Sequence, residues 1–475
     1  MKRHTGLGDI KRIHFIGIGG ISMSGLAEIL FMDGFIVSGS DWTSKDTTKH
    51  LQNIGIKIDF GPGDASLITP DIDLVVYTAA VKPDNPEFMA AKALRIPTMV
   101  RAELLGAMLK GYEYAVCVAG SHGKTSTTAL ITSIAVAAGL DPTVNIGGHI
   151  TGVAGQTNYL VGSSQYFILE SCEYSNSYHH FHPYIGIILN IDADHIDFHG
   201  SMDAVIESFA KFARNIRPNG TLIIQEGIPG FEKVVTGLEC EVITFCTVQK
   251  SQTLPLSKDI LRRYWMRNAT QNPDGTASFD VIEGQSLQAR INLPLPGEYN
   301  MFNALAAFAV GQKLGIATDV ISDALSVTHS VKRRYEYKGE FNGTIIIDDY
   351  AHHPTEIKAC LAATRQAYPG KRLVCIFQPH TYTRTRNHFE DFAMAFGDAD
   401  ITLFAPIYAA REPFDPTISS AMLAEKVKEN GNPSINCNNL EEAEAWLRGK
   451  LIPQDLLITM GAGDVYLVGE WLLSR

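Results

Sequence analysis

The run Gly120-Ser121-His122-Gly123-Lys124-Thr125-Ser126 joins glycines, a cation and hydroxyls at the spacing of a phosphate-binding loop. It stands between an apolar run, Tyr114–Ala119, and a small-residue helical run, Thr127–Ala138. Strand, glycine loop, helix is the order that turns backbone N–H groups and a helix dipole toward an anion. In such a loop Lys124 reaches the β- and γ-phosphates of a nucleoside triphosphate, and the Thr125 hydroxyl reaches Mg²⁺. Val118 occupies the place of the first glycine of the full G-x-x-x-x-G-K-[ST] pattern, so the reading leans on its strand–loop–helix context.

Three further clusters carry chemistry. Asn190-Ile-Asp192-Ala-Asp194-His195-Ile-Asp197-Phe-His199 follows the apolar run Ile185–Leu189, and Glu170 ends the run Tyr166–Leu169. Mg²⁺ takes oxygen ligands and keeps waters and phosphates, so one or two such groups suffice; zinc is the competing metal for a His/Asp cluster. Asp348-Asp349-Tyr350-Ala351-His352-His353-Pro354 follows Thr344–Ile347, and Gln378-Pro-His380-Thr-Tyr-Thr-Arg384-Thr-Arg386 follows Arg372–Phe377. Read as neighbours, these two strands deliver acids, histidines and arginines to one sheet edge, where arginine forks bind carboxylate or phosphate. Arg333 and Arg334 lie near a hinge and are placed to close onto a triphosphate; a surface role is the alternative.

The elements that must position these groups alternate strand and helix. Arg12–Gly17 leads into Gly17-Ile-Gly19-Gly20 and a helical pattern with Ser22 where a third fingerprint glycine would stand. Asp41 follows about 20 residues on, where an acid meets a ribose hydroxyl in dinucleotide folds, and Thr78-Ala79 ends Leu74–Tyr77. That incomplete pattern suits another nucleotide better than a nicotinamide cofactor. Residues 249–295 shift to short alternating segments with turn residues, an antiparallel insertion, and helical periodicity returns at Asn300–Leu314. The fold expected is α/β with three domains. Residues 1–110 are Rossmann-like, 111–329 a P-loop ATPase-like parallel sheet with the insertion, and 330–475 again Rossmann-like.

Bulk properties bound the rest. The chain has 475 residues, 45% of them hydrophobic and 19% charged, which suits about three soluble globular domains. A net charge of −11 argues against nucleic acid or anionic membranes as partners. No apolar stretch approaches the roughly 20 residues of a spanning helix. Seven cysteines without C-x-x-C suggest reduced thiols and a cytoplasmic location.

Gly120–Thr125, Asp194-His195, Gly297-x-x-Asn300-x-x-Asn303-Ala-Leu-Ala-Ala and Asp349-Tyr-Ala-His-His-Pro354 together resemble the Mur ligase family of peptidoglycan synthesis, over essentially the whole chain. Gly17–Ala27 and His380-x-x-x-Arg384-x-Arg386 are most similar to the members that use L-alanine. The resemblance implies ATP-dependent ligation of L-alanine to the lactyl carboxylate of UDP-N-acetylmuramate through an acyl phosphate, by a monomer or homodimer. It implies a UDP-substrate site at Gly19, Gly20, Ser22, Asp41, Thr78 and Ala79. Lys124, His195, His352 and Arg384 would be catalytic, Thr125, Glu170 and His195 would hold Mg²⁺, and Asn300 and Asn303 would line the ATP site. Arg333 or Arg334, with Asp348 or Asp349, would clamp the triphosphate. Tyr350, His352, His380 and Arg384 would form the amino-acid pocket, Arg384 taking the carboxylate and a histidine the proton.

Tyr299 stands where the family usually has histidine, and Thr381 where the alanine-using members commonly have arginine. Lys211 falls near a lysine that some members carboxylate; a surface helix lysine is the other reading. The competing functions are ligation of a recycled tripeptide to the same nucleotide sugar and a non-catalytic nucleotide-binding regulator.

Overall fold

The computed structural model describes residues 6–78, 80–150, 157–193, 196–247, 260–272, 274–328 and 331–474. Three sheets follow one another along the chain. The first is five-stranded and all parallel, in the order Lys57–Phe60, Ile36–Asp41, Arg12–Ile16, Leu74–Tyr77, Thr98–Val100. The glycine loop after Arg12–Ile16 sits at the point where the strand order reverses, the usual ligand position in such sheets.

The second sheet has ten strands. At its centre Tyr114–Ala119 lies parallel between Ile185–Ile188 and Tyr166–Glu170. Residues Ala115 to Ala119 are fully buried, so this strand is an unbroken apolar run rather than an alternating one. The segment expected as an antiparallel insertion extends the same sheet. Ile260–Gln271 pairs parallel with Glu241–Thr247, and Ala277–Glu283 and Ser286–Leu293 then add antiparallel. Helices Lys124–Ala137 and Glu298–Lys313 pack together on one face around Leu130, Ile134, Leu305 and Phe308.

The third sheet runs Glu336–Phe341, Thr344–Asp349, Asp455–Met460, Arg372–Phe377, Ile401–Phe404, Ser434–Asn436, with the first strand antiparallel. The two strands read from the sequence as neighbours are not: Asp455–Met460 is parallel to both and lies between them. The loops after the outer two still emerge at one edge, because the three strands point the same way. A second boundary also moves, since Asp348 and Asp349 are the last residues of their strand rather than the loop beyond it.

One apolar cluster runs from Phe15 and Leu26 in the first domain through Leu104 and Leu105 to Phe167, Phe209 and Phe212 under the central sheet. The first two sheets thus share a core. Among the described residues, the apolar clusters of 335–472 include no residue from either of them. The central cluster nevertheless reaches Val331, and Leu295 and Tyr299 share a cavity wall with Tyr335 and Cys360, so the last domain meets the rest through both apolar and polar contacts. No described helix is long and apolar enough to cross a membrane. The seven cysteines form no disulfide.

Candidate active site between the central and C-terminal domains

The phosphate loop is held by the neighbouring strand end. Asn190 Oδ1 accepts the His122 N–H at 2.8 Å and its amide donates to the His122 carbonyl at 3.0 Å. The Ser121 hydroxyl takes the Asp192 N–H at 2.9 Å. Gly123 has φ +83°, and a Cβ there would stand 2.6 Å from Asn303 Oδ1. Both facts demand glycine. We expect Gly123→Ala to weaken ATP binding at least about tenfold, since left-handed strain costs roughly 1–2 kcal/mol before the clash is counted. Titration with a fluorescent ATP analogue checks this, and unchanged affinity in a folded variant would refute it.

Lys124 opens the following helix. Its ammonium donates to the carbonyls of Gly120 and Ser121 at 2.6 and 3.0 Å and pairs with Glu173 at 3.0 Å. Burial pulls its pKa down, but Glu173, together with Cys172 and Glu170, outweighs burial and holds the pKa above the ordinary lysine value. The Thr125 hydroxyl donates to Glu170 Oε1 at 3.0 Å, and the Gly147 N–H to Glu170 Oε2 at 2.7 Å. A Cβ at Gly147 would come within 2.8 Å of that carboxylate, so glycine keeps the approach open. Asp194 and His195 lie outside the described residues. Lys211 is exposed on helix Met202–Arg214.

A cavity of about 300 Å³ lies beside this loop, lined from the central domain by His122, Gly123, Ser126, Asn300 and Asn303 and from the C-terminal domain by Arg334, Asp349 and Glu356. Leu295, Phe302 and the Tyr299 ring give it an apolar wall, a slot suited to a flat base next to a phosphate loop. Asn300 and Asn303 are buried, and Asn300 donates to the Pro296 carbonyl at 2.7 Å.

The two arginines and two aspartates divide into pairs. Arg333 is consumed internally: its guanidinium reaches Asp348 at 3.1 Å and the carbonyls of Gly461 and Gly463 at 2.6 and 2.9 Å. Arg334 lies over the Tyr350 ring at 4.9 Å and lines the cavity with Asp349. Burial raises the Asp349 carboxyl to about 6, Arg334 offsetting only part of the effect. Burial likewise raises Asp348 despite Arg333.

Tyr350, His352, His380 and Arg384 converge as a chain of contacts. The Tyr350 and His352 rings meet at 5.3 Å, His352 and His380 at 6.0 Å, and Arg384 Nη1 is 3.4 Å from His380 Nδ1. His380 also stacks on Tyr408 at 5.7 Å. Burial and then Arg384 lower the His380 pKa, so its imidazole is neutral near pH 7. Thr381 donates to Glu412 at 2.6 Å, and Glu412 also accepts the Thr383 N–H at 2.9 Å, fixing the start of helix Tyr382–Asn387. Arg386 is turned away in an ion pair with Asp415.

In the first domain the Asp41 carboxylate is 8% exposed and accepts the Gly19 N–H at 2.8 Å, with Lys45 at 3.3 Å. It therefore shapes the glycine loop instead of presenting a free oxygen to a ribose. Gly20 caps the following helix, Ser22 lies in its first turn and Thr78 follows its strand, all at the same sheet edge. Ala79 lies outside the described residues.

Sequence reasoning missed Glu173, Glu412 and Tyr408. Glu173 stands three residues beyond Glu170 and was findable as a second acid at the same strand end; the other two lie in a loop with no motif. His122, Asp192 and His353 bring ligand atoms within 4.8 Å of one another. Although burial opposes it, Asp192 and Glu356 raise the His122 pKa to about 9, so the ring is protonated near neutral pH and a metal would have to displace that proton.

Comparison with known proteins agrees along the whole chain. Residues 12–113 match the Mur ligase family catalytic domain, 118–311 the Mur ligase middle domain and 333–463 the Mur ligase glutamate ligase domain. The chain is 45% identical over 467 residues to the UDP-N-acetylmuramate–L-alanine ligase of Clostridium novyi, covering 98% of this chain and 97% of that one. A crystal structure of UDP-N-acetylmuramate–alanine ligase from Thermotoga maritima superposes with a TM-score of 0.77 at 27% identity, covering 98% and 99%. A murein peptide ligase from Psychrobacter arcticus shares the fold, with a TM-score of 0.67 at 22% identity over 98% of each chain. With three consecutive domain matches and a relative this similar end to end, the chain belongs to the Mur ligase family.

Proposed function

We infer that this protein joins L-alanine to the lactyl carboxylate of UDP-N-acetylmuramate at the expense of ATP, a step of peptidoglycan precursor synthesis in the cytoplasm. The observation that carries the reading is a cavity beside the phosphate loop that is walled in part by the C-terminal domain, the same domain that carries the histidine–arginine cluster. An activated carboxylate and an amine must meet between these two domains out of contact with water. Members of this family are ATP-dependent, and the end-to-end likeness to alanine-using relatives favours the same substrates.

In the first step a lactyl carboxylate oxygen attacks the γ-phosphorus, the bond to the β-phosphate oxygen breaks, and ADP leaves. Lys124 neutralises charge on the transferring group, which is where such sites gain most of their rate. The hydroxyl of Thr125 and carboxylate of Glu170 are hard oxygen donors 3.0 Å apart, a fit for Mg²⁺, with His195 proposed beside them. Bound there, Mg²⁺ would spread the negative charge of the phosphate oxygens. Asn300 and Asn303 border the nucleotide, while Arg334 and Asp349 are our choice for the triphosphate clamp over Arg333 and Asp348.

In the second step the alanine nitrogen attacks the acyl carbon, and the carbon–oxygen bond to phosphate breaks. Arg384 holds the alanine carboxylate. His380 is neutral and removes the ammonium proton, with Tyr350 and His352 shaping the pocket. Gly19, Gly20, Ser22, Thr78 and Ala79 border the UDP moiety, with Asp41 shaping that loop.

The test is product analysis with UDP-N-acetylmuramate, ATP and Mg²⁺, offering L-alanine or the recycled tripeptide in parallel. Amide formation with L-alanine supports the reading. Turnover with the tripeptide alone would move the protein to recycling, and ATP binding without product would make it a regulator.

A further inference from the structure

Glu356 lies in the first turn of helix Pro354–Ala367, and its carboxylate is only 15% exposed. One oxygen stands 3.2 Å from His122 Nδ1 in the phosphate loop. The other accepts the backbone N–H groups of His352 and His353 at 3.1 and 3.3 Å. The opposite nitrogen of His122 meets Asp192 Oδ2 at 2.9 Å, and that same oxygen accepts the Thr355 hydroxyl at 2.8 Å. Thr355 and Glu356 of the C-terminal domain thus clasp an imidazole–carboxylate pair of the central domain.

We propose that the His122–Glu356 pair couples the two halves of the reaction: Glu356 is a positioning residue that ties the phosphate loop to the His352 loop of the alanine pocket. The inference rests on the ligase reading and deepens it.

Helix capping explains only half of this geometry. A capping box needs one carboxylate oxygen on the N-cap N–H, and the second oxygen has no part in it. Here the second oxygen crosses from the first turn of a C-terminal-domain helix to the phosphate loop of the central domain, so a polar contact takes part in their registration. The charges suit the task. Burial disfavours an ionised Glu356, but His352, His122 and Arg334 outweigh it and hold its carboxyl well below the usual range. An anionic Glu356 at the wall of a cavity that receives a polyanion would repel it; the His122 charge masks that repulsion while fixing the distance. The groups facing the pair are Asp192 on the central domain and Thr355, His352, His353 and Arg334 on the C-terminal domain.

The test is a double-mutant cycle with Glu356→Gln, His122→Gln and both, each checked for an unchanged melting temperature. Glutamine keeps an oxygen for the two backbone N–H groups, so the cap survives and only the ionic link is removed. The expected result is a KM for L-alanine raised about tenfold or more in each single variant, with kcat less affected. The double variant should be no worse than the poorer single. In the wild type, a non-hydrolysable ATP analogue should tighten L-alanine binding, and this linkage should vanish in all three variants. Multiplying effects in the double variant, or a fall in kcat with the alanine KM unchanged, would overturn the proposal. If the wild type ligates no amino acid at all, the ligase reading fails separately. The cycle is then judged on ATP-analogue affinity and on domain closure by small-angle scattering, where additive losses again refute the coupling. Should either glutamine variant not fold, His122→Asn and Glu356→Asn, which also remove the charges, carry the same comparison.

Discussion

Replacing Lys124 with alanine is expected to lower kcat about 10³-fold or more. The ammonium is buried on the phosphate loop, and removing one preorganised donor from a developing charge typically costs about 10²–10³ in rate. Here a full positive charge is lost as well. The same substitution leaves Glu173, only 2% exposed, without its cation, and an uncompensated buried charge costs about 3–5 kcal/mol. Stability and catalysis would then fall together. Pairing Lys124→Met with Glu173→Gln removes both charges, so it should recover most of the melting temperature while activity stays lost. A double variant that regains turnover would show that the lysine supports the fold and does no chemistry.

His380→Ala is expected to lower kcat about 10²–10⁴-fold, the usual contribution of a positioned general base. The KM for ATP should stay near its wild-type value, because His380 contacts His352 and is not among the residues lining the cavity beside the phosphate loop. The pH profile gives the sharper sign. Burial and Arg384 lower the His380 pKa, so the ring accepts a proton from the substrate at neutral pH. Activity should fall as pH drops through a value below the ordinary histidine range, where the ring protonates and ceases to be a base. In His380→Ala that acid limb should disappear from the residual rate. An unchanged acid limb in the variant would assign the proton to another group, and His352 would be next.

The parts of this account legible in the sequence share a physical cause. Tyr114–Ala119 reads as a buried strand because parallel strands covered on both faces are continuous apolar runs. The loop after it reads as a phosphate site because glycines, lysine and a hydroxyl have few other reasons to adjoin there. What the sequence hid depends on distance or on facing. Asp455–Met460 wedges between two earlier strands, and nothing local to any of the three encodes their lateral order. Asp348 and Asp349 are adjacent on a strand, so their side chains take opposite faces and only the sheet decides which meets the cavity. Arg333 and Arg334 are separated by backbone geometry, since Arg333 has φ +63° and turns onto Asp348 while its neighbour lines the cavity. Glu356 caps its own helix through local contacts, but its second oxygen finds His122 across 234 positions of chain.

The most direct measurement follows oxygen. UDP-N-acetylmuramate labelled with ¹⁸O in its lactyl carboxylate is turned over with ATP, Mg²⁺ and L-alanine, and the released phosphate is analysed by ³¹P NMR. Activation through an acyl phosphate moves one carboxylate oxygen onto phosphorus, so the account predicts one ¹⁸O per released phosphate in step with amide formation. Unlabelled phosphate would mean that ATP is hydrolysed by water and that the carboxylate is never phosphorylated, which contradicts the mechanism from its first step.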